Sequence, residues 1–404
     1  MNSYILNEGY NKKIFFGKGY GDKIFIKKKS YIDLSYNAGA LILGHNSKTY
    51  TDSVKKYLKS QISTFAHPNK HALDFSKNIK KKFKSFSNII FCNSGSEAII
   101  RALRISRATN KKKMIVSVAG SWHGSVDKLL FYPNERMKPI PLSNGLENND
   151  KKNIIFIPNN DIKNSKKILN KYKKKINCLI IEPLQASFPI INENYLKFLE
   201  EFCKINKCNL IFDEMISGLR MKEGSVQKIF NIKPDITTLG KILGGGTPIG
   251  IIGISKKIYQ KIKKKKIFFG GTFSANSFST FIGNETIKFL NKNINLYKNL
   301  NKKSELFEKS LNIFLKEKKI NAIIYRYQSI LRLVLSRQEI NTLATKRDFI
   351  RKNQNLNILK FKNFLMKKGI YYPSNGTIFF STASTDKNLD YVLRCFKEGL
   401  KKYF

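Results

Sequence analysis

Acid is scarce in this chain of 404 residues: 28 Asp and Glu stand against 75 Lys and Arg, a formal charge of +47. Cysteine is scarce too. The five thiols, Cys92, Cys178, Cys203, Cys208 and Cys395, form no Cys-x-x-Cys spacing and no even framework. A disulfide scaffold and a zinc ribbon are thereby excluded, and the residues read as buried, reduced thiols. No uninterrupted apolar run is long enough to span a bilayer. Residues 1–16 lack a basic flank followed by an apolar core, so neither a membrane anchor nor a secretory leader is expected and the cytoplasm is the expected address. There are four histidines; His67 and His71 stand four apart, but Pro68 and Lys70 between them do not suit a zinc-protease helix. No metal site is expected.

The excess of positive charge would ordinarily suggest nucleic acid or an anionic membrane face. Here it is spread along the whole length, in runs at 27–29, 111–113, 173–175 and 263–266, and Ile and Asn are abundant as well. That pattern reads as compositional drift toward Lys, Asn and Ile. A dedicated binder concentrates its charge and interleaves stacking aromatics on one element. The field should instead favour anionic small substrates and a nonspecific attraction for polyanions that salt removes.

What is present is burial capacity and order. The chain is 42% hydrophobic, and its length exceeds what one core usually supports, so two domains sharing an interface are expected. From about Asn88, short apolar runs alternate with amphipathic segments: Ile89-Ile90-Phe91, Met114-Ile115-Val116, Ile154-Ile155-Phe156, Leu179-Ile180-Ile181, Leu210-Ile211-Phe212 and Ile236-Thr237-Thr238. Runs apolar on both faces suit parallel strands covered by helices, such as those predicted over 97–107 and 193–206. Short antiparallel strands around Phe25-Ile26 and Ser30-Tyr31-Ile32-Asp33-Leu34 open the chain. After about Asn291 come a long Lys/Glu/Leu helix, the run 330–335, a helix through Phe364, the run Ile378-Phe379-Phe380 and a terminal helix. The expectation is an α/β fold with a large domain over 46–290, carrying a mixed, mostly parallel sheet. A smaller α+β domain over 291–404 is joined by the segment 1–45. No repeat, proline-rich linker or low-complexity tail interrupts this plan.

Three chemistries recur at three strand ends. Asn93-Ser94-Gly95-Ser96-Glu97-Ala98 follows a strand and opens a helix, which presents free backbone N–H groups to an anion. An ordinary serine N-cap with a following glutamate is the alternative for this stretch. Asp213 ends a second strand, at the sheet edge where ligands bind in α/β domains. Its alternative, with Glu214, is a pair of acids at a helix start. Lys241 follows the third, in Thr237-Thr238-Leu239-Gly240-Lys241, ahead of Gly244-Gly245-Gly246. Any one lysine in so lysine-rich a chain is by default a solvated one. A phosphate loop, an acid and an amine together are what a pyridoxal phosphate enzyme needs, for an ester to anchor, a ring nitrogen to keep protonated and an aldehyde to hold. A carboxylate about 4 Å from a protonated ring nitrogen contributes about 4 kcal/mol at an effective dielectric of 20. Trp122, the single tryptophan, sits in Ser121-Trp122-His123-Gly124 and offers an aromatic plane, or else a core indole.

With Glu182-Pro183, Phe212-Asp213-Glu214-Met215 through Gly218-Leu219-Arg220, Pro234-Asp235-Ile236, and Gly271-Thr272-Phe273-Ser274 added, the ordered motifs resemble the class III (subgroup II) pyridoxal phosphate-dependent aminotransferases. They look closest to the glutamate-1-semialdehyde aminomutase branch. The resemblance runs from Gly39 through Gly44-His45 to Phe380-Ser381-Thr382-Ala383. It implies a fold-type I homodimer using pyridoxal 5′-phosphate, with Ser94, Gly95 and Ser96 on the phosphate and Trp122 stacked on the ring beside His123. Asp213 would face the ring nitrogen, and Met215 would cover the other face, where relatives usually have valine. Lys241 would carry the imine through which an amino donor and a carbonyl acceptor exchange the amino group by way of pyridoxamine phosphate. Thr272 would reach the phosphate of the neighbouring subunit. His67 and His71 would line the substrate entrance. The role of Glu182 stays open, between a place near the ring and a pair with an arginine.

Three departures bear on the substrate. The glutamate of the aminomutase pattern falls at or beside Gly376, and no acid lies between Tyr371 and Thr385. The N-terminal arginine is replaced by lysine around Lys12-Lys13. Ser274-Ala275-Asn276-Ser277 departs from Ser-Gly-Asn-Pro. These favour transfer between two substrates over an intramolecular amino shift of the glutamate-1-semialdehyde 2,1-aminomutase kind. A polyanion-binding protein that has lost catalysis is a third reading, and the intact Lys241 and Asp213 speak against it.

Overall fold

Isoleucine-rich runs too short for helices settle side by side as strands in the computed structural model, which describes residues 14–60, 67–335 and 356–404. β1 (Lys18–Tyr20), β2 (Lys23–Ile26) and β3 (Lys29–Asp33) form the expected antiparallel entry. The large sheet then takes β4 (Asn88–Cys92) and β5 (Met114–Val118). After a small hairpin of β6 (Phe131–Pro133) and β7 (Pro139–Pro141) come β8 (Ile154–Ile157), β9 (Ile176–Ile181), β10 (Asn209–Asp213), β11 (Ile236–Gly240) and β12 (Gly250–Ile254). Its seven strands lie in the order β4-β12-β11-β10-β9-β5-β8. β12 is antiparallel to both neighbours, and the pairs among β8 to β11 and β5 are parallel. β9, β10, β11 and β12 are buried along their whole length, as a sheet covered on both faces requires.

β12 is the strand that the pattern of apolar runs passes over. Two glycines break its isoleucine run, and both mark close approach of backbone to a neighbour. A Cβ on Gly250 would collide with the Ser94 carbonyl oxygen and lie 2.7 Å from Cys92 Sγ, and one on Gly253 would enter the Phe86 ring. Gly250→Ala is therefore expected to cost about 1–3 kcal/mol through overpacking. A thermal midpoint equal to that of the parent in an unfolding scan would refute the close approach.

The helix Gly95–Thr109 buries Ala98, Ile99, Ala102, Leu103 and Ile105 on one face. Its start is a reciprocal cap: Glu97 N–H donates to Ser94 Oγ at 3.1 Å, and Asn93 N–H donates to Glu97 Oε2 at 2.7 Å. Glu193–Ile205 packs Leu196, Leu199 and Phe202 inward as the period predicts.

Strand pairing joins the beginning of the chain to its end. β13 (Ile323–Tyr327), β14 (Ile330–Val334) and β16 (Thr377–Phe379) make one antiparallel sheet. The two-residue β15 (Ile370–Tyr371) runs parallel to β3, pairing Ile370 with Ile32. Phe379 N–H also donates to Leu34 O at 2.9 Å. One apolar core runs from Ile32 and Leu34 through Phe75, Leu239 and Leu243 to Phe361 and Phe396. Among the described residues no helix is long and apolar enough to cross a membrane. All five cysteines are buried and unpaired.

Candidate active site

The carboxyl ends of β4, β5, β9, β10 and β11 converge on one edge of the sheet, where side chains meet without belonging to one stretch of sequence. Asp213 closes β10 and is 3% exposed. Its Oδ2 lies 2.8 Å from His123 Nδ1, while Oδ1 accepts from Thr238 Oγ1 at 3.1 Å and from Met215 N–H at 3.2 Å. His123 is itself buried, and its Nε2 has no hydrogen-bond partner among the described residues. Glu214 turns the other way. Its carboxylate accepts from Ser217, Val226 N–H and Gln227 inside the protein, so the Asp213-Glu214 pair splits into one residue at the edge and one structural acid.

Lys241 follows β11 and opens the short 3-10 turn Lys241–Gly244 with φ 47°, a left-handed backbone that a non-glycine residue adopts at a cost of about 1–2 kcal/mol. It is half-buried. Burial holds its amine below the ordinary lysine range, Glu182 and Asp213 oppose that shift, and the Arg220 guanidinium adds to it. Arg220 was legible only as a motif letter. It is 2% exposed, donates to Ser329 Oγ at 3.1 Å and to the Gly39 carbonyl, and stacks 5.1 Å from the Phe379 ring centre. Burial lowers its pKa to about 10. Gly39 is required there: φ is +82°, and a Cβ would lie 3.0 Å from Arg220 Nη2.

Glu182 follows β9 and is buried at 6% exposure. Its Oε2 accepts the Trp122 backbone N–H at 2.7 Å. Burial and the Asp213 charge push its carboxyl up to about 7, against the pull of His123, the Trp122 N–H and Lys241. The Trp122 side chain is 47% exposed.

The serines after β4 keep one function free. Ser94 Oγ accepts from Glu97 N–H, and Ser96 Oγ accepts from Ser125 N–H at 3.0 Å. Neither hydroxyl hydrogen is committed to an acceptor among the described residues, and the helix N-terminus lies between them, which suits a phosphate. The serine N-cap and the anion cup are thus compatible readings of the same atoms. Met215 closes the cup from inside: a Cβ on Gly95 would stand 3.1 Å from its Sδ, and one on Gly240 2.8 Å. An oxyanion at the serines and a cationic ring at Asp213 fit the donors and the acceptor present, and pyridoxal 5′-phosphate carries both.

The other expected residues are exposed on turns or packed against neighbouring side chains. Thr272 is exposed in a turn beside Phe273, 55% exposed, and Phe268, 75% exposed. His67 is exposed, whereas His71 packs against the rings of Phe281 and Tyr57, at 4.9 Å and 6.1 Å between centres. Gly376 has φ +74°, and a Cβ there would stand 2.8 Å from Arg332 Nη1 and 3.1 Å from Tyr372 Oη. Arg332 is 2% exposed, and burial lowers its pKa to about 10. Lys12-Lys13 lies outside the described residues. Among the described residues no group of three or more His, Cys, Asp or Glu could hold a metal ion.

The family model for class-III aminotransferases matches residues 7–327. A glutamate-1-semialdehyde 2,1-aminomutase of Fusobacterium nucleatum subsp. nucleatum is 32% identical over 399 residues, which cover 96% of this chain and 90% of that protein. Among solved structures, an omega-transaminase from Sphaerobacter thermophilus superposes with a TM-score of 0.86 at 23% identity, over 96% of this chain and 90% of the other. A glutamate-1-semialdehyde-aminomutase from Pseudomonas aeruginosa PAO1 in complex with PMP gives 0.84 at 16%, over 98% and 89%. The two structural likenesses establish the fold, with its mixed, mostly parallel sheet, and with the class-III family match they make it that of a fold-type I pyridoxal phosphate-dependent transferase.

Proposed function

This chain belongs to the class III aminotransferases, enzymes that use pyridoxal 5′-phosphate, and from that premise we propose that it moves an amino group from an amino donor such as glutamate to an aldehyde or ketone acceptor. The observation that carries the reading is the presence of Asp213 and Lys241 at the ends of paired strands β10 and β11, with the serine cup beside them. When bound, the cofactor supplies a carbonyl carbon that receives the amino group and a ring that draws electrons from the reacting carbon.

In this proposal Lys241 Nζ takes and returns the proton at that carbon. An amine held low by burial spends more time neutral, and only the neutral form accepts. The buried Asp213 carboxyl is oriented by Thr238 Oγ1, Met215 N–H and His123. Ser94, Gly95 and Ser96 would hold the phosphate, and Trp122 and Met215 would hold the ring between them. Thr272 serves the partner subunit's phosphate in a homodimer, a reading that the exposed Phe268 and Phe273 beside it support. The basic surface favours anionic donor and acceptor.

Transfer between two molecules is supported by the surroundings of Gly376. The acid of the aminomutase pattern falls there by resemblance, and the space a side chain would take is filled by Arg332 and Tyr372. The intramolecular alternative is supported by the names of the curated relatives. Incubation with glutamate-1-semialdehyde as the sole amino compound separates them. No 5-aminolevulinate is expected to form, and formation at a rate matching that with an added donor would reverse the choice.

A further inference from the structure

We propose that Arg101 is a positioning residue: from the helix that begins at the serine cup it holds the turn over residues 270–274, and so sets where Thr272 is presented to a second copy of the chain. The inference rests on the aminotransferase reading, in which Thr272 serves the neighbouring copy's phosphate, and it names the residue that places the threonine.

Arg101 lies in the helix Gly95–Thr109 and is 3% exposed. Glu97, one turn earlier, joins it to the cup. The Glu97 N–H donates to Ser94 Oγ, its Oε2 accepts from Asn93 N–H, and its Oε1 accepts from Arg101 Nη2. A guanidinium taken out of water needs such an acid and acceptors for its other hydrogens. Nη1 finds one in β4, the Phe91 carbonyl at 2.9 Å. Nη2 reaches away from the helix, to Gly270 O at 2.9 Å and Ser274 Oγ at 3.2 Å. Arg104, three residues on and therefore on the same helix face, donates from Nη1 to Phe268 O at 2.8 Å.

Between the helices Lys256–Ile262 and Ser277–Lys292 the chain has no helix or strand. Local bonds shape the turn, from Ser274 N–H to Gly271 O at 2.9 Å and from Asn276 N–H to Phe273 O at 3.1 Å. Asn69 Nδ2 holds the carbonyl of Ala275, whose φ of 58° is a left-handed conformation that an alanine keeps only where its surroundings over-determine it. Arg101 and Arg104 join this turn to the helix of the cup. At Gly271 the approach is close: a Cβ there would lie 2.9 Å from Ser274 Oγ and 3.1 Å from Arg101 Nη2. Thr272 follows directly, with its side chain exposed. The planar fork of an arginine serves several acceptors in fixed directions, which a lysine ammonium does not. Each copy's own cup and the turn it offers to its neighbour are thereby one unit, and a change at Arg101 should be felt in the neighbour's site.

Hybrid dimers of the full-length chain, assembled from two differently tagged copies, test this. Pyridoxal 5′-phosphate is titrated in, borohydride is added, and intact mass reports which copy is labelled at Lys241. In the first hybrid one copy carries Lys241→Ala and the other Arg101→Met. The copy that can be labelled then receives its threonine from a copy with Arg101 intact, and half-labelling is expected at the wild-type cofactor concentration. In the second hybrid both substitutions sit on one copy and the other is wild type. Half-labelling should then need about tenfold more cofactor, the worth of one hydrogen bond to a charged group. Arg101→Lys in place of Arg101→Met should shift the second hybrid in the same direction by less. No shift in the second hybrid, or a loss in the first that equals or exceeds it, overturns the proposal. A variant that folds badly harms the first hybrid too and falls under that outcome. A chain that stays monomeric with cofactor present overturns it as well. Wild type that takes no label at Lys241 discards the aminotransferase reading and this inference with it, whereas label in the wrong pattern discards this inference alone.

Discussion

Lys241→Ala is expected to lose turnover by roughly four orders of magnitude, the upper end of what a positioned proton-transfer group contributes. The variant should also fail to be covalently labelled when pyridoxal 5′-phosphate and borohydride are added. Three features set the expectation: the amine stands at the carboxyl end of β11, burial and Arg220 hold it below the lysine range, and Asp213 closes the neighbouring strand. Alanine retains the Cβ and therefore the same cost at φ 47°, so the loss reports the amine and not a relaxed backbone. Intact-mass analysis after reduction gives a readout independent of rate. Full turnover in Lys241→Ala, or reductive labelling at a different lysine, would sink the assignment. In a chain with 75 Lys and Arg that second outcome is a real competitor, and peptide mapping decides it.

Asp213→Asn should lower kcat/KM by about three orders of magnitude while leaving the fold in place. The amide is nearly isosteric, and its oxygen can still accept from Thr238 Oγ1 and Met215 N–H. Only the charge is lost, together with the ability to accept from His123 through the second oxygen. A full negative charge about 4 Å from a cation is worth about 4 kcal/mol at an effective dielectric of 20, and each 1.4 kcal/mol or so is tenfold in rate. Steady-state kinetics beside a melting curve separates the two effects. A fall of less than about tenfold would mean that Asp213 does not face a developing or resident positive charge, and that its role is to hold His123.

The parts of the molecule legible in the sequence are those written in short-range pattern. Six apolar runs from 89 to 238 are strands, the helices over 97–107 and 193–206 sit where their period puts them, and the run at 330–335 is β14 over Ile330–Val334. The residues at strand ends are legible because a serine-glycine helix start, an acid and an amine each leave a local mark. β12 was passed over because Gly250 and Gly253, which its neighbours require, erase the β-branched signal. The partners that tune the site were out of reach for another reason. Thr238 and His123 meet Asp213, Trp122 meets Glu182, and Arg220 meets Gly39 and Ser329, all across separations that no window of sequence spans. The ring contacts of His71 with Phe281 and Tyr57 are likewise long-range, since an imidazole in an aromatic setting leaves no mark in spacing.

The parallel pairing of Ile32 with Ile370 has a consequence for biogenesis. During translation β3 is made before β15 and cannot complete its sheet until the chain through β15 has left the ribosome. The hairpin of β1 and β2 must wait beside it with one open edge, while the large sheet between them is free to assemble. A contact of such long sequence separation closes slowly. The ribbon of β1 to β3 therefore keeps the β3 edge unpaired until β15 arrives, and an unpaired strand edge is a template for mispairing.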